Sequence, residues 1–93
     1  MAGRSPVVVM FPWVNDMREY QRDKTWSYQP LIDTLHSSAI DVLNVGEGLA
    51  RHLGNRSACD VYTGCVGSHL NREGNEVTAG LIAEYLKGRG IAR

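Results

Sequence analysis

The sequence predicts an α/β layered fold in which short parallel strands lie under helices. Three observations point there. Val7-Val8-Val9-Met10-Phe11 is a continuous apolar, β-branched run between Pro6 and Pro12. Ala39-Ile40-Asp41-Val42-Leu43-Asn44-Val45 is a second run of strand character. Val77, Leu81, Ile82, Tyr85 and Leu86 then repeat at helical spacing near the C-terminus. Continuous rather than alternating apolarity suits a strand buried on both faces, as in a parallel sheet covered by helices.

The elements follow in order. The first strand is expected over 6–12. Residues 13–27 are polar with interleaved aromatics and show no clean period, which reads as a long loop or a loosely helical excursion. Pro30 suits the first turn of a helix, where its missing N–H removes no bond. Leu31, Ile32 and Leu35 give that helix its apolar stripe, and Ser37-Ser38 end it. The second strand is expected over 39–45. Gly46-Glu47-Gly48 turns the chain into a short helix over 49–53, stopped by Gly54-Asn55. A loop from residue 56 to 68 holds both cysteines. The last helix spans 71–87. Asn71 is its cap, Glu73 and Glu76 favour its positive end, and Gly88 suits the position just after it.

The predicted order is strand, helix, strand, helix, helix, with right-handed crossovers. Two strands fall short of the three or more that a stable sheet wants. The chain is therefore expected to belong to a larger fold or to complete its sheet with a partner, a second copy included.

Composition narrows the class. A length of 93 residues allows one domain, 1–93. Hydrophobic residues make up 43% and charged residues 22%, an ordinary globular balance. Ten basic and ten acidic residues give a formal charge of zero. Nucleic-acid and anionic-membrane binders rely on basic excess, so neither partner is expected. No segment approaches the roughly 20 apolar residues that cross a bilayer.

Three features invite a chemical reading. Gly46-x-Gly48 follows a strand and opens a helix, as a dinucleotide-binding turn does. The third glycine position holds Arg51, too bulky for close helix–strand packing, so a plain turn and no cofactor is expected. Cys59 and Cys65 are separated by five residues, which leaves three options open: two thiols, a disulfide, or a metal site shared with His69. No metal is the expected outcome, because a fourth ligand at sensible spacing is missing. Finally, His69 precedes the cap of the last helix, at the edge of an α/β sheet where ligands collect. Its ring is suited to general-base work near neutral pH.

His69-Leu70-Asn71-Arg72-Glu73-Gly74-Asn75, followed by an apolar helix ending in Glu84-Tyr85-Leu86, resembles the C-terminal block of the SGNH (GDSL-type) hydrolases. Residues 7–12 are similar to that family's penultimate core strand, residues 28–32 to the following helix, and residues 40–45 to the final strand. The resemblance runs from about residue 6 to residue 88. It implies a flavodoxin-like three-layer sandwich, seen here in part. It also implies hydrolysis of acyl esters, often acetyl groups on carbohydrates, through an acyl-serine. His69 would be the base.

The chain departs from the family in three respects. No Gly-Asp-Ser nucleophile block is present, and the oxyanion Gly and Asn belong to the same absent region. The aspartate that orients the histidine would fall at Gly67 or Val66. Asp60, nine residues before His69, is the only nearby carboxylate; it would fill the role if the Cys59–Cys65 loop folds back, and otherwise backbone or water would orient the ring. The resemblance therefore implies the C-terminal half of such a domain, inactive by itself. The competing expectation is a small non-enzymatic module that binds through an exposed sheet edge. Trp13, Trp26, Tyr20 and Tyr28 would then serve either as contacts or as packing.

Overall fold

The computed structural model describes residues 6–89. Among them the chain forms β1 (Val7–Met10), α1 (Val14–Asp23), α2 (Gln29–Ser37), β2 (Asp41–Asn44), α3 (Val45–Leu53) and α4 (Arg72–Gly88). Two 3-10 turns, Ala58–Val61 and Thr63–Cys65, lie between α3 and α4. The strands pair in parallel, with Val7 opposite Asp41 and Met10 opposite Asn44. The architecture is thus mixed α/β, with four helices and a two-stranded parallel sheet. None of the described helices is long and apolar enough to cross a membrane.

The largest difference from the sequence reading lies in residues 13–27. They form a regular helix, α1, and a turn that returns Trp26 to the core. Val14 and Met17 are buried, and Tyr20 continues the same three-residue spacing. A stripe that narrow is hidden among Asn15, Arg18, Glu19, Gln21 and Arg22. The backbone N–H of Trp13 donates to the Asp16 carboxylate at 3.0 Å, which supports the first turn. Two helices therefore connect the strands, where one was expected.

The strands are shorter than the apolar runs. Ala39 has φ 63°, a left-handed turn, and the Ile40 amide bonds back to the Leu35 carbonyl. The second strand can begin only after that turn. Burial also differs: Val9 is 36% and Phe11 48% exposed, so β1 is not covered on both faces. With two strands, each has one side without a strand neighbour among the described residues.

At its far end β2 runs directly into α3. The Asn44 side chain accepts from the Gly46 amide at 3.0 Å and caps the helix. Gly46 and Gly48 are inside the helix and not in a turn before it. A Cβ on Gly46 would sit 2.6 Å from the Trp26 ring, and one on Gly48 would collide with Leu81. These glycines are the contact surface that lets α3 approach both the aromatic core and α4.

The core gathers Val14, Met17, Trp26, Val45, Leu49, Leu53, Ala58, Val61 and Tyr62. Trp26 stacks on Tyr20 at 4.1 Å and on Tyr28 at 5.5 Å between ring centres. Three of the four aromatics considered as contacts are therefore packing residues, and Trp13 alone of the four is exposed, at 59%. Val77 and Leu81 bring α4 onto this cluster. Gly88 is the last residue of α4 and not the one after it. Arg89 caps the helix and pairs with Asp41 at the start of β2. At the other end of α4, Glu73 accepts from Arg56 at 2.5 Å and bonds His52 at 2.6 Å.

Candidate functional site

Because the strands are parallel and Met10 faces Asn44, both end at the same edge. The segment from residue 58 to 71 folds back over this edge. Gly67 accepts from the Val14 amide at 2.8 Å, just beyond the end of β1. The Tyr62 hydroxyl donates to the Pro12 carbonyl at 2.6 Å in the same place. A lone antiparallel bridge joins Tyr62 to Leu70. His69 lies on this arm, two residues past Gly67, at the carboxyl edge of the sheet.

The residues around His69 explain its placement. Its carbonyl accepts from the Thr63 amide at 2.8 Å, and the Asn71 amide donates to Val61 at 3.0 Å. Asn71 accepts from the Gly74 amide at 2.9 Å and donates to the Asp60 carbonyl at 2.8 Å. Asn75 donates to the Leu70 carbonyl at 3.2 Å. A Cβ on Gly74 would stand 2.5 Å from the Val61 carbonyl oxygen, so only glycine lets the helix start approach this turn. Asn71, Gly74 and Asn75 hold backbone. They fix where His69 emerges and leave its ring alone.

The imidazole itself is exposed and makes no hydrogen bond to the described residues. Asp60 is not brought to it. The Asp60 carboxylate lies 3.8 Å from Arg56, and the Asp60 carbonyl accepts from Asn71, so no hydrogen bond or ion pair joins Asp60 to the His69 ring. No serine among the described residues bonds His69 either. Ser57 caps a 3-10 turn, Ser27 donates to Asp16 at 2.7 Å, and Ser37 bonds within α2.

A second acid at this edge was not singled out from the sequence. Asp16, in the first turn of α1, is held by the Trp13 amide and the Ser27 hydroxyl. Burial, and after it the Asp16 charge, pushes the phenols of Tyr28 and Tyr62 up, so both remain neutral donors. Tyr28 uses its hydroxyl on Asn44 at 2.8 Å. The signal for Asp16 was an acid three residues after a helix cap, which periodicity alone did not reveal.

Cys59 and Cys65 are joined as a disulfide, with Cα atoms 4.6 Å apart. Of the three options open in the sequence, this is the one realised, and neither sulfur is free to ligate a metal. The Arg18 guanidinium on α1 donates to both sulfurs, at 3.2 Å to Cys59 and 3.0 Å to Cys65.

No family model, curated protein or solved structure matches the chain. The chemistry is therefore read from the site. A fixed main chain carries an exposed imidazole at the carboxyl edge of a parallel sheet. Such a ring can accept a proton from any hydroxyl brought within hydrogen-bond reach.

Proposed function

We propose that this chain carries the general base, His69, of an SGNH-type hydrolase acting on acyl esters, acetylated carbohydrates among them. The sheet would be part of a flavodoxin-like three-layer sandwich. The serine nucleophile and its oxyanion donors would come from outside these 93 residues. One observation carries the reading: an exposed imidazole without hydrogen bonds, on an arm pinned to the carboxyl edge by Val14–Gly67, Thr63–His69 and Val61–Asn71. The resemblance of the block from His69 to Asn75 supports the same role.

In this mechanism the imidazole takes the serine proton as the hydroxyl attacks the ester carbonyl. It then returns that proton to the departing alcohol. Water repeats the sequence to release the acid. Fixing the main chain on both sides of His69 limits the search of the ring to its own two torsions, which is what positioning contributes.

Hydrolysis of p-nitrophenyl acetate tests this reading. The chain alone should hydrolyse it no faster than free imidazole at equal concentration. A chain extended upstream to include a Gly-Asp-Ser segment should be active. His69→Ala should then cost several powers of ten, as loss of a triad member does. A serine-dependent burst from the 93-residue chain, or full activity of the extended His69→Ala protein, would overturn the proposal.

The exposure of Val9 and Phe11 beside a two-stranded sheet favours a second reading, a module that accepts a strand from another chain. Amide exchange separates the two. Strand addition protects outward-facing amides of β1 or β2 when an extended peptide is added, and ester turnover does not.

A further inference from the structure

The disulfide between Cys59 and Cys65 has surroundings that a purely structural bridge does not need. Arg18 is a full positive charge, and its guanidinium donates to both sulfurs. It forms no ion pair with a carboxylate among the described residues. Disulfide sulfurs are weak acceptors, whereas a thiolate is a strong one. The charge therefore gains its best partner only when the bond is open.

The backbone points the same way. Cys65 has φ 58° and follows Gly64 at φ 66°. A cysteine held in the left-handed region is strained, since its Cβ crowds the backbone. The bridge closes a short loop, for which the constraint on the unfolded chain is small. Both cysteines are only half-buried.

The surrounding arm also has supports that do not pass through sulfur. Tyr62 bonds Pro12, Tyr62 bridges Leu70, Thr63 bonds His69 and Asn71 bonds Val61. None of these contacts involves either sulfur.

We propose that Cys59 and Cys65 form a thiol–disulfide exchange site for a low-molecular-weight thiol of the glutathione class, with Arg18 stabilising the sulfur anion. A thiolate of the small thiol attacks one cysteine sulfur, and the bond between the two cysteines breaks. The released cysteine leaves as a thiolate facing Arg18. A second small thiolate attacks the mixed disulfide at the small-molecule sulfur and frees the other cysteine. In sum, the protein disulfide is reduced to two thiols, and two small thiols are oxidised to their disulfide. The site stands on these contacts and is independent of the hydrolase reading.

Equilibration of the folded chain in mixtures of reduced and oxidised glutathione, followed by alkylation and mass measurement, tests the proposal. The dithiol fraction should change across the mixtures, with the far-ultraviolet circular dichroism unaltered. Arg18→Gln should lower the reduction equilibrium constant about tenfold, the effect of one nearby charge on a thiolate equilibrium. Arg18→Lys should keep most of the wild-type value. Arg22→Gln, on the same helix but beside Asp23, should leave it unchanged. Thiolate absorbance of the reduced protein at neutral pH should fall in Arg18→Gln. A bridge that stays closed in every mixture, a chain that unfolds on reduction, or an Arg18→Gln protein that titrates like wild type would each overturn the inference.

Discussion

The Tyr62 hydroxyl donates to the Pro12 carbonyl at 2.6 Å, across a sequence separation of 50 residues. Tyr62 is 2% exposed, and Pro12 is buried beside it. This bond ties the arm that carries His69 to the end of β1. Tyr62→Phe keeps the ring and leaves a buried carbonyl without its donor. It should cost about 1–3 kcal/mol, read as a lower urea midpoint with unchanged slope.

The nearby residues His69 and Asn71 should respond differently. His69→Ala removes an exposed ring without hydrogen bonds and should change stability by less than about 0.5 kcal/mol. Asn71→Ala removes both the helix cap and the bond to the Asp60 carbonyl, and should cost about 1–2 kcal/mol. Thermal unfolding of the two variants side by side checks this. Equal losses would mean that the His69 ring packs in a way the contacts do not show.

Two glycines of α4 should separate as sharply. Gly74→Ala drives a methyl group to 2.5 Å from the Val61 carbonyl oxygen and 3.1 Å from Leu70, against backbone that cannot step aside. A loss of about 1–3 kcal/mol is expected. Gly80→Ala meets nothing within 4 Å and should stabilise the helix by up to about 1 kcal/mol. Chemical denaturation measures both.

The Glu73 carboxylate gives the chain a pH dependence at its acidic end. Hydrogen bonding from Arg56, and next from His52, holds its pKa below the ordinary value of 4.5. A depressed carboxylate binds fewer protons in the folded chain than in the unfolded one. Its stabilisation is therefore fully present above the ordinary value and lost as pH falls through the folded one. Glu73→Gln should flatten the stability profile over that acidic window. Urea titrations at several pH values across that window would record the change.

How far the sequence could be read depended on where each signal resided. Helix α4 was legible because its cap, its acids and its apolar spacing all fall within one segment. The loop position of His69 followed from the same block. Helix α1 was not legible, because its buried side is only Val14, Met17 and Tyr20 among strongly polar neighbours. The strand ends were overestimated, since an apolar run does not say where pairing stops; the left-handed Ala39 does. Gly46 and Gly48 resembled a turn because their partners, Trp26 and Leu81, lie far away in the chain. Asp16 went unnoticed for a related reason. Its role depends on Ser27 and on two phenols that only folding brings near.

The contrast between the two indoles has an optical consequence. Trp26 is 6% exposed and stacked on two phenol rings, whereas Trp13 is 59% exposed beside the pinned arm. Their emission should divide into a blue-shifted, shielded component and a red-shifted one open to acrylamide. The first follows unfolding of the core. The second follows whatever settles on the carboxyl edge of the sheet. A single cuvette thus carries two independent gauges, and removing Trp13 by Trp13→Phe should silence one without disturbing the other.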